Sequence, residues 1–285
     1  CALPIFIKTT LPKPRSSRKV TKTTTVKEST TMAKSRRTRQ RDEIAEVYLI
    51  NNNKRAMEEG PNKKTWSKFD LKSIKPLTNN QHNMFTQYFQ GDQLVAYGSA
   101  GTGKSYLAFY LALCDVLDGN RPQNHVVIVR SAVATRDLGY MPGTLEEKTA
   151  LFETPYRDIL ADLFGRYSTY ENMKEASLIR FVTTSYIRGL TWDNAVIIVD
   201  EAQNLTWHEI NSVMTRVGEN SRVIFTGDLV QTDLNKRSTE KTGMQRLLST
   251  AEKMKQFSSV QFTSSDIVRS DLVKAWIVAA EQTED

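Results

Sequence analysis

The chain has 285 residues, 39% hydrophobic and 25% charged, the make-up of a globular protein with one large domain and a tail, or two small domains. No run approaches 18 apolar residues, which excludes a membrane-crossing helix; two cysteines, Cys1 and Cys114, exclude a disulfide framework and a four-cysteine zinc site. The net charge of +7 comes from residues 1–65, with 16 Lys/Arg against 6 Asp/Glu, whereas residues 66–285 hold 23 against 26, so the folded part gives no charge argument for a polyanionic partner.

The chain opens on apolar residues followed, not preceded, by Lys and Arg, the wrong order for a secretory signal; a reducing, cytoplasmic setting is expected. Residues 1–31 contain eight Thr, seven basic residues and one acid, without apolar spacing. Met32-Ala33-Lys34-Ser35 reads like a natural start, and whether residues 1–31 belong to the natural protein stays open. Residues 1–43 read as flexible, and the basic run 35–41 offers either a solvated end or a contact for nucleic acid. Ile44, Val47 and Tyr48 predict a short helix within 42–59, ended by Gly60-Pro61-Asn62. The expected organisation is a basic N-terminal segment, 1–65, and one folded domain, 66–285.

From Trp66 onward, apolar β-branched runs alternate with helical stretches. Strands are predicted at 93–97, 125–130, 178–184, 195–199, 222–227 and 259–263, with helices at 106–117 and 272–280. Strands that are apolar throughout and separated by helices imply an α/β fold, a parallel sheet with helices on both faces. Ligands of such sheets sit beyond the carboxyl ends of the strands, and the polar motifs fall there.

The first strand runs into Gly98-Ser99-Ala100-Gly101-Thr102-Gly103-Lys104-Ser105, and a helix opens at Tyr106. This strand–loop–helix setting is the one that a P-loop requires. Glycines let backbone N–H groups turn inward around phosphates, Lys104 brings a cation to the outer phosphates, and Ser105 supplies a hydroxyl to Mg2+. The run 195–199 ends in Asp200-Glu201-Ala202-Gln203. Asp200 suits Mg2+ through its hydration shell, and Glu201 suits orienting and deprotonating a water. The strand 222–227 leads into Asp228 and Gln231, the latter a candidate for sensing the terminal phosphate. Gln81, ahead of the loop, has the donor and acceptor needed to read an adenine edge. Arg188 and Arg269 are cations that could reach a transferred phosphoryl group or serve in surface ion pairs, Arg269 with Asp266 or Asp271. His82, His125 and His208 lack metal-ligand spacing, and Trp192 and Trp207 read as packing residues.

Together these blocks resemble the PhoH family of phosphate-loop ATPases, related to superfamily 1 helicases. The resemblance covers about residues 75–282 and includes Leu138 to Gly143 with Leu145 to Lys148, Tyr186 to Gly189, and Ser265 to Arg269, as well as the loop and the acidic strand end. It implies a RecA-like P-loop domain and ATP binding at Gly101, Gly103, Lys104 and Ser105. It implies metal and water roles for Asp200 and Glu201, phosphate sensing by Gln231, and an arginine-finger role for Arg269, supplied across a subunit interface of a homo-oligomer such as a hexameric ring. The expected partners are ATP with Mg2+ and RNA or single-stranded DNA, with no membrane. Arg130-Ser131 stands where the family has Arg-Pro, and Ala134 to Asp137 replaces a Gly-Glu pair, which puts the nucleic-acid role of that strand end in doubt. No acidic cluster suits a nuclease domain; a compact version without one is common in phage genomes, an origin the resemblance also suggests. Against turnover stands a second reading, an ATP-gated binding module with slow hydrolysis.

Overall fold

The computed structural model describes residues 66–131, 145–228 and 243–281, all within a compact unit that begins at Gly60. The basic segment and the helix expected within 42–59 lie outside the described residues. In chain order the elements are α1 (Asn79–Gln90), β1 (Gln93–Gly98), α2 (Lys104–Val116), β2 (His125–Arg130), α3 (Leu145–Phe164), α4 (Thr169–Glu175), β3 (Ile179–Thr183), β4 (Ala195–Val199), α5 (Trp207–Met214), β5 (Arg222–Gly227), α6 (Gly243–Ala251), β6 (Phe257–Phe262) and α7 (Asp271–Glu281). The six strands form one sheet in the order β3-β2-β4-β5-β1-β6, every pair parallel. This is the phosphate-loop α/β fold expected from the sequence.

The apolar strands sort their side chains by the period of two. Leu94, Ala96, Val126, Ile128, Val196 and Ile198 face one layer, where they meet α1 to α4 through Met84, Phe109, Tyr156, Leu160 and Met173. Val95, Val127, Val129, Ile197 and Val199 face the other, against Ile210 and Val213 of α5 and Met244 and Leu247 of α6. With helices on both faces, every side chain of β4 is fully buried, which is why that strand shows no alternation. The last strand differs from its expected span, starting at Phe257 instead of residue 259 and ending at Phe262. It is an edge strand, paired with β1 alone, and its burial alternates. That weaker apolar signal hid its start.

Helices α1, α3, α4, α5 and α6 were absent from the predicted elements; in α1 the apolar spacing is diluted by Asn and Gln. Its ends carry the local signals: the Thr78 hydroxyl accepts from Gln81 N, and Gly91, at φ +103°, takes the left-handed conformation that closes the helix. Helix α5 begins with a reciprocal cap between Thr206 and Glu209.

At the amino end of the sheet, away from the motif-bearing end, Arg222 is buried. It donates to Asp115 Oδ2 (2.8 Å), Tyr88 O (2.6 Å) and Asp92 O (2.9 Å), and its guanidinium lies 3.6 Å from the Tyr88 ring centre. The Tyr88 hydroxyl also donates to Asp115 Oδ2 (2.7 Å). This network pins α1 and α2 to β5. Without Arg222, Asp115 keeps only the half-exposed Arg121, 3.8 Å from its Oδ1, as a cation partner, so Arg222→Ala is expected to cost about 3–5 kcal/mol of stability. In a domain of this size that lowers Tm by roughly 6–20 °C. Thermal melts of the two proteins check it; a loss below ~1 kcal/mol would show that the network is not a stabilising element.

Candidate functional site

Glycine geometry shapes the loop after β1. Edge strand β6 runs so close that a Cβ on Gly98 would collide with the Phe262 carbonyl, and Ser99 N donates to that same oxygen (3.1 Å). Gly101 and Gly103 sit at φ +72° and +85°, a region that other residues enter at a cost. The Thr102 hydroxyl ties the loop to Ser99 O (3.1 Å). Lys104 folds back inside it, donating to Gly98 O (2.8 Å) and Ser99 O (2.7 Å). Burial lowers the pKa of this amine, opposed by the charges of Asp228, Glu201, Asp200 and Glu281. Helix α2 starts at Lys104 with Gly103 as its cap residue, and no side chain caps its first N–H groups. A bare helix start, a glycine-shaped cradle and a cation form a chemical fit for a polyphosphate.

Across from this loop, Asp200 follows β4 and is 5% exposed. Its Oδ1 accepts from Ser105 Oγ (2.7 Å) and from Thr226 Oγ1 (2.6 Å), and its Oδ2 accepts from the Tyr156 hydroxyl (2.9 Å). These donors come from α2, β5 and α3 respectively. The Ser105 hydroxyl and the Asp200 carboxylate are therefore neighbouring hard oxygens, a donor set that fits Mg2+ with water and phosphate completing its shell. No group of three or more His, Cys, Asp or Glu among the described residues could hold a metal alone, so an all-protein metal cage is not formed there.

Glu201 departs from ordinary backbone: at φ +55°, ψ +43° it is left-handed without being glycine. Such a conformation is retained where the surroundings over-determine it. Its carboxylate accepts from Gln203 Nε2 (2.6 Å), while Gln203 Oε1 accepts from Asp228 N (3.0 Å), so one buried amide spans the ends of β4 and β5. Burial raises the Glu201 pKa, and Asp200 adds to this; Arg130, Gln203 and Lys104 oppose it. The Arg130 guanidinium, at the end of β2, lies 5.7 Å from the Phe152 ring centre.

The structure brings Lys104, Ser105, Asp200 and Glu201 together and gives other candidates different surroundings. Gln81 is buried; its Nε2 donates to Thr102 O (3.1 Å) and its Oε1 accepts from Leu77 N (2.8 Å). In this arrangement its amide holds the loop to α1. The Tyr106 hydroxyl is taken up by Asp162 of α3 (2.6 Å), and burial with that contact pushes its pKa up. Arg269 is exposed and makes no ion pair among the described residues; Asp266, one of its expected partners, instead accepts from Asn80 Nδ2 (2.7 Å) and Thr263 N (2.9 Å). The Arg269 segment packs on the loop of its own chain. Val268 N donates to Gly101 O (3.1 Å), and a Cβ on Gly101 would stand 3.1 Å from Arg269 Cγ and 3.2 Å from Ile277 Cδ1. Gln231 lies outside the described residues, as do Leu138 to Gly143. Sequence reasoning missed Tyr156, Thr226 and the bridging role of Gln203. Thr226 and Gln203 sit inside motifs already singled out, whereas nothing in the sequence around Tyr156 marks it.

The family described as PhoH-like protein matches residues 73–281. A PhoH-like protein of Bacillus subtilis (strain 168) is 34% identical over 216 residues, covering 74% of this chain and 65% of that protein. A PhoH-like protein of Synechocystis sp. is 35% identical over 189 residues, covering 66% of this chain and 56% of that protein. The chain thus spans less than two thirds of either relative. Among solved structures, the large terminase of a thermophilic bacteriophage in complex with ADP overlays with a TM-score of 0.40 and 13% identity, over 70% of this chain and 49% of that one, too loosely to carry an argument about the site. The match over residues 73–281, well over half of the chain, places it in the PhoH-like family.

Proposed function

We propose that the domain binds ATP with Mg2+ at the Gly98 to Ser105 loop and hydrolyses it, with turnover coupled to RNA or single-stranded DNA. The observation that carries this reading is the pairing of Ser105 with Asp200 at 2.7 Å, beside the inward-folded Lys104. It brings the hydroxyl, the carboxylate and the cation of a phosphoryl-transfer site to one end of the sheet. On binding, Lys104 exchanges its two loop carbonyls for phosphate oxygens, and the N–H groups at the start of α2 face the same anion. Ser105 and Asp200 are the residues that would hold Mg2+, which would supply positive charge to offset that of the outer phosphates. Glu201, held by Gln203, orients the water and takes its proton.

Arg269 serves as a cation for the nucleotide of its own chain, a role supported by the packing of Val268 and Arg269 on Gly101. This replaces an ion pair with Asp266 or Asp271 and is the rival of a finger delivered to a neighbour in a ring. For nucleic acid, the segment after β3 exposes Tyr186 and, two residues on, Arg188, an aromatic face and a cation of the kinds that stack on bases and hold phosphates.

Lys104→Ala is expected to abolish tight ATP binding. Glu201→Gln is expected to keep ATP affinity and lose about 10²–10⁴-fold in kcat, the usual contribution of a positioned general base. Equilibrium binding and steady-state phosphate release check both; a Glu201→Gln protein at the wild-type rate refutes the assignment. RNA or single-stranded DNA should raise the wild-type rate several-fold, and an unchanged slow rate with either would favour the ATP-gated module.

Arg269→Ala should lower the rate about 10³-fold or more, as for other arginine fingers, with ATP affinity little changed. If Arg269 serves its own chain, mixing Arg269→Ala with Glu201→Gln protein restores nothing. Recovery of activity on mixing would instead establish delivery between subunits.

A further inference from the structure

Tyr156 belongs to neither the loop nor the acidic strand end, yet its hydroxyl reaches the carboxylate on which both converge. We infer that Tyr156 is a positioning residue for the divalent cation: it holds Asp200 Oδ2 so that Oδ1 stays turned toward Ser105. This inference rests on the reading of the site as a nucleotide–Mg2+ site.

The ring of Tyr156 is fully buried, stacked on Phe109 of α2 (centroids 5.2 Å apart, 27° between planes) and tilted against Phe181 of β3 (6.0 Å). A phenylalanine would fill that space equally well. The hydroxyl is the one polar part of the side chain, and it is spent on Asp200 Oδ2 at 2.9 Å. The terminal torsion of an aspartate is soft, so the plane of its carboxylate is set by its partners more than by its own rotamer preference. Ser105 and Thr226 both donate to Oδ1, and Tyr156 is the donor at Oδ2. Ser105 and Thr226 hold one oxygen and Tyr156 the other, and together they fix the plane. Without the phenol, both remaining bonds fall on Oδ1, which leaves the carboxylate free to turn about that oxygen. Outer groups that orient metal-facing carboxylates act in this way.

The test compares wild type, Tyr156→Phe and Phe109→Leu by titrating a fluorescent N-methylanthraniloyl-ADP over a series of Mg2+ concentrations, with thermal melts and steady-state rates alongside. Tyr156→Phe should bind the nucleotide without Mg2+ as wild type does. The Mg2+ concentration that half-saturates the tighter binding should rise about 10-fold or more, the usual loss when such an orienting partner is removed. The rate at saturating Mg2+ should fall much less than the rate at limiting Mg2+. Phe109→Leu removes the stacked ring but keeps the hydroxyl; it should lower Tm and leave the Mg2+ half-point in place. An unshifted half-point in Tyr156→Phe overturns the inference. So does an equal shift in Phe109→Leu, which would make packing the cause, and so does a Tyr156→Phe protein that is unfolded at 25 °C, which would assign the hydroxyl to folding. Wild-type nucleotide affinity that ignores Mg2+ would instead overturn the reading of the site, and the inference with it.

Discussion

A carboxylate at the end of a strand with no exposed residue has to be compensated, and the motif-bearing end of this domain is arranged around that requirement. Taking a carboxylate out of water costs several kcal/mol unless hydrogen bonds replace the lost solvent. Asp200 obtains three, from Ser105, Thr226 and Tyr156, each on a different element. Bonds to a charged acceptor contribute about 1.5–3 kcal/mol each, so the set is of the size needed to offset the burial. The same three bonds draw α2, α3 and β5 onto the end of β4. A demand of stability and the geometry of a proposed cation site are thus met by one carboxylate.

The strand order makes this possible. Strand β5 lies between β1, which feeds the loop, and β4, which ends in Asp200. The end of β5 therefore lies beside both: Thr226 donates to Asp200, and Gly227 packs against Gln203. Gln203 then bridges the two strand ends, with Glu201 on one side and Asp228 on the other. The left-handed backbone at Glu201 is what lets two adjacent acids diverge, Asp200 toward Ser105 and Glu201 toward Gln203. Adjacent residues on a continuing strand would also point apart, but to opposite faces of the sheet, not to one end of it.

The other wall of the loop comes from the far end of the chain. Strand β6 passes close to Gly98, and the segment after it returns across Gly101 through Val268, Arg269 and Ile277. Helix α1 closes the third side through Gln81. The loop is therefore held by α1, β6 and the segment leading into α7, with Lys104 donating to its carbonyls. A cradle held in this way loses little conformational freedom on binding an anion.

Much of this was legible in the sequence, because the relevant physics is local. Glycine spacing, a lysine at a helix start and paired acids after an apolar run each carry their chemistry within a few residues; so do the all-apolar strands, which specify a sheet buried on both faces. The loop, Ser105, Asp200, Glu201 and five of the six strands could be read in this manner. Strand β6 was misplaced at its start because its first three residues, Phe257 to Ser259, are not buried and carry little apolar signal; helices α3 to α6 were not read from the sequence, and α1 was hidden by polar residues on a helix whose signals lie in its caps. Only the tertiary structure decided that Gln81 spends its amide on Leu77 and Thr102, that the Arg269 segment packs on its own loop, and that Tyr156, 44 residues before Asp200, donates to it. Those are contacts between distant segments. A tyrosine in the core shows only an aromatic side chain in the sequence; which carboxylate its hydroxyl meets is fixed by the packing of α3 over the sheet, and no spacing along the chain encodes that.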